Sequence, residues 1–229
     1  GETRLQVQGL SVEGDRGRRA VDGLDLEVRA GEIVGIAGVS GNGQRELAEA
    51  IAGLRSASAG TVTLDGHDIT YADPRATRDR GLAYVPEERM RDGAVGEFSV
   101  AENLILIDHA DDRFSRRGML DLGAIRRHAT DLVERFAVKT PTIETTTSSL
   151  SGGNIQKLIM ARELSTEPSV LVVAQPTRGV DIGAAEYIHE RLVAQRAAGT
   201  AILVISEDLD EVMALADRVA VMFEGNIVR

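Results

Sequence analysis

Ile33-Val-Gly-Ile-Ala-Gly-Val-Ser-Gly-Asn-Gly-Gln-Arg-Glu46 passes from a continuously apolar run, through a glycine-rich turn, into a helical pattern that continues to Ala52. A short apolar run of this kind suits a strand buried on both faces, as in a parallel sheet. Gly38-x4-Gly43 then follows the strand and precedes the helix, which is the context a phosphate-binding loop requires. Its glycines let the backbone wrap an anion and aim N–H groups inward. Two more continuous runs, 170–174 and 201–206, repeat the buried-strand pattern, and 219–223 reads as a fourth. Helical periodicity over 184–198 precedes the third run and over 208–216 follows it. Strands alternating with helices predict an α/β fold with a mainly parallel sheet.

Outward from this core, 4–8, 24–28 and 61–66 alternate apolar and polar residues, as half-buried strands do, and predict a small antiparallel layer. Residues 100–107, 122–136 and 154–164 are helical in pattern and show no strand signal, so an all-helical insertion is expected between the core strands. The chain of 229 residues is read as one unit, with 1–95 and 165–229 forming the α/β core and 96–164 the helical insertion. Hydrophobic residues make up 43% of it, enough for a substantial core. A formal net charge of −10 argues against a protein that neutralises nucleic-acid phosphates. The short basic clusters Arg16-Gly-Arg-Arg19 and Arg126-Arg127 read as solvated faces. Absence of cysteine excludes disulfides and thiolate metal sites. The apolar runs are too short to span a bilayer, and the sequence opens without a secretory signal pattern. The four histidines, His67, His109, His128 and His189, lack metal-ligand spacing and read as surface or turn residues.

The loop Gly38, Ser40, Gly41, Asn42, Gly43, Gln44, Arg45 lacks what makes such loops work. A working loop carries Lys after the last Gly, reaching the β/γ-phosphates, then Ser or Thr on Mg²⁺. Here those positions are Gln44 and Arg45. Gln44 brings no charge, and the Arg45 guanidinium has no acceptor to offer and repels a cation. The chain has only two lysines, Lys139 and Lys157, so no nearby lysine can substitute. Either the loop binds an anion weakly through its backbone, or it survives as a strand-to-helix connection. An acidic pair should end the 170–174 strand, one residue anchoring metal and the next polarising water. Ala174 and Gln175 stand there instead. Losing a general base costs about 10²–10⁴-fold in rate.

A second phosphate-sensing element is intact. Leu150-Ser-Gly-Gly-Asn-Ile-Gln-Lys157 is a Gly-Gly turn that opens a helix, with a hydroxyl just before the glycines. Such a helix start offers free N–H groups and a positive dipole end to a phosphate.

Leu150-Ser-Gly-Gly-Asn154, in this order between the glycine loop and the 170–174 strand, resembles the signature of the nucleotide-binding cassettes of ABC transporters. The resemblance covers essentially the whole chain. Tyr84-Val-Pro-Glu-Glu-Arg-Met-Arg-Asp-Gly93, Phe98-Ser-Val-Ala-Glu-Asn-Leu104 and Gln175-Pro-Thr-Arg-Gly-Val-Asp181 look like the second cassette of the tandem ATPases of sugar-type importers. The Ala174-Gln175 pair and the Gly41-Asn-Gly-Gln44 loop are most similar to the nucleoside-importing branch. The resemblance implies that Leu150, Ser151, Gly152, Gly153, Asn154 and Gln156 complete the ATP site of an opposing cassette. It implies further departures at Glu207, where a γ-phosphate-contacting His is expected, and at Pro86-Glu87, where the loop coupling nucleotide to a membrane partner usually begins with Gln. No adenine-stacking aromatic occurs within 13–19. Asp181, in the loop linking the two composite sites, is retained. Leu104 is expected in the core, and Phe98 either there or on a partner-facing surface.

What the resemblance implies is the degenerate C-terminal cassette of a nucleoside or sugar importer, excised from a longer protein. A sibling N-terminal cassette and transmembrane permease subunits are the implied partners. ATP is shared at the sibling's site and weak or absent on the chain's own loop, Mg²⁺ belongs only to the sibling's site, and the location is cytoplasmic, on the inner face of the cell membrane. A non-hydrolysing nucleotide sensor, or a cassette of a DNA-repair or translation ATPase, is the alternative. Coiled-coil or basic insertions of the latter kind are missing here.

Overall fold

A computed structural model describes residues 1–15 and 17–228; Arg16 of the first basic cluster lies outside them. Strands β1 (Thr3–Glu13) and β2 (Arg19–Arg29) begin a four-stranded antiparallel sheet. It is completed by β4 (Ala57–Leu64) and β5 (His67–Asp68), in the order β2-β1-β4-β5. Their alternating sequences place Leu5, Val7, Leu24, Val28, Val62 and Leu64 inward. A second, six-stranded sheet holds β3 (Ile33–Ala37), β6 (Leu82–Val85), β9 (Val170–Ala174), β10 (Ala201–Ser206), β11 (Arg218–Phe223) and β12 (Asn226–Val228). Its order is β12-β11-β3-β10-β9-β6, with β11, β3, β10 and β9 mutually parallel and only β12 shown antiparallel. Every residue of β3, β9 and β10 is buried, the physical consequence of covering both faces of a parallel sheet.

The helices are α1 (Gln44–Ile51), α2 (Pro74–Asp79), α3 (Val100–Leu104), α4 (Leu122–Arg135), α5 (Gly152–Leu164), α6 (Ile182–Ala197) and α7 (Leu209–Leu215). Asp73, Ser99, Asp121, Ser151 and Asp208 each cap a helix start through a side-chain oxygen. α7 lies so close to β3 that a Cβ on Gly35 would sit 2.6 Å from Val212 Cγ1 and 2.9 Å from the Ala216 Cβ. Only glycine permits that approach.

Two compact units are present, one of residues 1–84, 167–176 and 189–229, the other of 85–166 and 177–188. Relative to the sequence reading of 96–164, the second unit runs over 85–166 and gains 177–188. Its core is built on α5, which packs on α3 and α4 and buries Ile155, Leu158, Ile159 and Leu164 on all its sides. Leu104 is fully buried as expected, whereas Phe98 is exposed.

The insertion is not purely helical. It carries a hairpin of β7 (Ser115–Arg116) and β8 (Met119–Leu120), turning at Arg117 and Gly118, both at positive φ. Positive φ at both central residues is the geometry of a tight type I′ hairpin. Arg-Gly is a weaker sequence signal for it than Asn-Gly, and the strands are only two residues long. The helix read over 100–107 ends at Leu104, since Ile105 leaves helical geometry at φ −105 and ψ 4. Strand β6 and helix α2 are short elements that periodicity does not reveal.

Candidate functional site

Parallel register brings the three expected catalytic segments to one sheet edge. Ala37 pairs with Ser206, and Ala174 with Ile205, so the Gly38 loop, Ala174-Gln175 and Ser206-Glu207 all emerge at the carboxyl ends of adjacent strands. That edge is where α/β sheets bind ligands. The segments expected to form a nucleotide site thus share one sheet edge.

Gln44 does more than lack a charge. Its side chain is folded back into the loop and buried, the Oε1 accepting from the Asn42 N–H at 3.1 Å and the Nε2 donating to the Val39 carbonyl at 3.0 Å. The Nε2 would stand 2.7 Å from a Cβ at Gly38. Asn42 Nδ2 also donates to the Val39 carbonyl, at 2.8 Å, while Glu224 N–H donates to Asn42 Oδ1 and Gly225 N–H to the Asn42 carbonyl. The turn between β11 and β12 thus clamps the loop, and at least one backbone donor that an anion would need is already used.

Arg45, at the metal-ligand position, is drawn into ion pairs with Glu49 (2.7 Å) and Asp15 (3.3 Å). The Glu49 hydrogen bond raises the Arg45 pKa, keeping it firmly cationic. Asp15 lies in the segment where the adenine-stacking aromatic is missing, and also holds Arg55 at 2.8 Å. The Arg55 hydrogen bond in turn lowers the Asp15 pKa. Gln175 is buried at positive φ, and its Oε1 accepts from the Glu207 N–H at 3.2 Å. Ala174 is buried, and the Glu207 side chain is exposed. These residues do not fit a Mg-nucleotide: a closed loop, a cation at the metal position, and an amide in place of the base. Among the described residues no cluster of His, Cys, Asp and Glu can hold a metal.

Replacing Gln44 by Lys is expected to open the loop, by freeing the Asn42 N–H, and to add one charge-assisted contact worth about 1.5–3 kcal/mol. Calorimetric titration with metal-free ATP should show affinity rising about tenfold or more.

Two histidines depart from the surface reading. His189 on α6 places Nε2 2.9 Å from Glu211 Oε1, and the buried Ser206 hydroxyl donates to Glu211 Oε2 at 2.6 Å. His128 is half-buried, with its ring 4.9 Å from Phe114, and burial lowers its pKa. Sequence spacing gives no hint of either, because the partners are set by packing.

In the second unit the Leu150–Lys157 stretch folds as read. Ser151 caps α5, its Oγ accepting from the Asn154 N–H at 3.4 Å and from Asn154 Nδ2 at 2.9 Å. Asn154 Oδ1 in turn accepts from the Lys139 N–H at 2.8 Å. Gly152 and Gly153, the first two helical residues, have no intrahelical acceptor for their N–H groups. Close packing sets the identity of Gly153 and crowds Gly152. A Cβ on Gly152 would sit 2.8 Å from an Arg89 guanidinium nitrogen, and one on Gly153 2.7 Å from the Ala184 Cβ. Burial lowers the Arg89 pKa, and its guanidinium donates to the Arg178 carbonyl. Arg178 also pairs with Glu87, next to Pro86. Asp181 Oδ1 accepts from the Ala184 N–H at 2.9 Å at the start of α6, so that carboxylate is a cap. Both lysines line one hollow of about 210 Å³ together with Asn154 and Asp181. Lys157 lies over the Tyr187 ring at 4.5 Å, and Gln156 is buried.

Residues 21–178 match the family described as ABC transporter. The chain is 51% identical over 230 residues to the glucose import ATP-binding protein TsgD13 of Haloferax volcanii, covering 100% of this chain and 42% of that protein. It is 48% identical over 223 residues to the nucleoside import ATP-binding protein NupA of Lactococcus lactis, covering 97% and 44%. The chain therefore spans less than half the length of these relatives. A solved structure of a nucleotide-free ATP-binding cassette from an ABC transporter superposes with a TM-score of 0.82 at 25% identity, over 99% of this chain and 90% of that one.

Proposed function

The chain belongs to the ABC transporter family, and on that premise we propose that it is the hydrolytically disabled cassette of a two-cassette importer ATPase. Its role is to complete the ATP site of a sibling cassette that lies N-terminal to it. The observation that carries this reading is the contrast between its two phosphate elements. Gln44 closes the chain's own loop by hydrogen-bonding inside it. The Ser151-Gly152-Gly153 turn keeps the first N–H groups of α5 at a helix start. The relatives' length accommodates a second cassette, and both are named as import proteins, one for glucose and one for nucleosides.

In this reading the sibling supplies the lysine, the acidic pair and the γ-phosphate-contacting histidine, and holds Mg²⁺. This chain contributes Ser151, Gly152 and Gly153 against the phosphates, with Leu150, Asn154 and Gln156 supporting the turn. Asn154 fixes the Ser151 hydroxyl, and its own orientation is fixed by the Lys139 backbone. Arg89 stands against Gly152 and so keeps the turn closely packed. Pro86 and Glu87 open the segment facing transmembrane permease subunits, and Asp181 belongs to the loop that links the two composite sites. The pair powers nucleoside or sugar uptake from the cytoplasmic face of the membrane. All 229 residues form a single cassette in this proposal.

The purified chain alone is expected to hydrolyse Mg-ATP at least about 10²-fold more slowly than a complete importer, since both charge and base are lost. A steady-state phosphate-release assay at ordinary transporter rates would overturn the proposal.

A further inference from the structure

We propose that the Ser115–Leu120 hairpin, with the start of α4, docks directly on an anionic lipid bilayer. This goes beyond the proposed function, in which a permease rather than lipid attaches the chain to a membrane.

The hairpin presents Met119, Leu120 and Leu122 at 76%, 51% and 68% exposure, three large apolar side chains within four residues. They are held outward by a fixed frame. Ser115 pairs with Leu120 and Arg116 with Met119, and Asp121 N–H donates to the Phe114 carbonyl at 2.8 Å. Phe114, on the inner side, is buried at 3% exposure and anchors the hairpin to its unit. Asp121 then caps α4 and leaves Leu122 at its solvent-facing first position. An exposed apolar cluster of this size marks an interaction surface more often than a chance of composition.

Charge identifies the occupant. The chain as a whole carries −10, and residues 112–128 hold five arginines and two aspartates, two of those arginines being offset by carboxylates just outside the stretch. Arg113 is engaged by Asp111 and Asp108, and Arg126 by Glu144. Arg116, Arg117 and Arg127 are exposed, and no carboxylate pairs with them among the described residues. An apolar tip ringed by arginines matches a bilayer interface, where the side chains enter the acyl boundary and guanidinium groups meet lipid phosphates. Screening confines that attraction to about 8–10 Å, so the outcome is set by the patch itself, where the exposed Arg116, Arg117 and Arg127 outnumber Asp112 and Asp121.

The test is flotation of the full chain with vesicles of phosphatidylcholine alone and of phosphatidylcholine mixed with phosphatidylglycerol, at physiological salt. Bulk charge alone predicts weaker binding to the anionic vesicles; the hairpin predicts stronger binding, by about tenfold or more. Arg116→Glu with Arg117→Glu, and separately Met119→Ser with Leu120→Ser and Leu122→Ser, should each remove most of it. Leu54→Ser with Tyr71→Ser, equally exposed apolar positions elsewhere, should leave it intact. Circular dichroism verifies that each variant keeps its fold. No preference for anionic vesicles, equal binding by the hairpin variants, or equal loss in the Leu54 and Tyr71 control would each overturn the proposal. The vesicles contain neither permease nor nucleotide, so failure here is separate from failure of the importer reading.

Discussion

Ser151→Arg in the full-length transporter is expected to lower solute uptake by about 10²–10³-fold, the scale on which losing preorganised donors at an anion site acts. Ser151 occupies the one position that is both the cap of α5 and the entrance to its free N–H groups. Its hydroxyl is already bound by the Asn154 backbone and side chain, which leaves the turn compact and open on its outer side. Arginine has no acceptor to cap the helix, and its long side chain fills the approach that the proposed function assigns to an opposing phosphate. The structural effect should be small by comparison, about 1 kcal/mol for the lost cap. The measurement is initial uptake in membrane vesicles, with thermal unfolding of the purified variant as the control. Unchanged uptake would remove the signature turn from the mechanism.

Arg162→Ala is the substitution with the largest expected effect on stability, about 3–5 kcal/mol. Arg162 and Glu163 are adjacent on α5 and almost fully buried, their side chains at 4% and 0% exposure. Two guanidinium nitrogens reach Glu163 Oε1 at 3.1 Å, and a third donates to the Asn103 carbonyl at 3.4 Å. Asn103 is itself buried and tied to Thr147 Oγ1 at 2.9 Å and to both polar groups of the Val95 backbone. Deleting the guanidinium takes from the buried Glu163 carboxylate the cation that reaches its Oε1, whereas Arg162→Met with Glu163→Met removes both charges together. The double variant should therefore recover most of the loss. Urea denaturation of Arg162→Met, Glu163→Met and the double variant closes the cycle. A loss below about 1 kcal/mol for Arg162→Ala would show that the buried guanidinium, through Glu163 and the Asn103 carbonyl, is not what stabilises this region.

The sequence was most legible where burial is uniform. β3, β9 and β10 have the bounds read from their apolar runs, because a strand covered on both faces tolerates no polar interruption. α4 was legible through its helical pattern, and the opening of α5 through its Gly-Gly turn. The Ser115–Leu120 hairpin was not, since two-residue strands carry no period and Arg117 adopts positive φ without the usual residue type. The candidate nucleotide site shows the same division. Missing charges at Gln44, Ala174 and Gln175, and a carboxylate where a histidine is expected at Glu207, are statements about residue type and need no coordinates.

By itself the sequence determined the α/β alternation, the positions of both phosphate elements and the loss of charge from the first. Tertiary structure alone decided that Gln44 turns inward to occupy the loop, and that the turn after β11 clamps Asn42 from 182 residues away. It also placed Arg89 against Gly152 and turned Arg45 toward Asp15. The reason is physical. Residue type fixes which groups can donate, accept or carry charge, whereas a hydrogen bond also requires about 3 Å separation and alignment, which only the folded backbone sets.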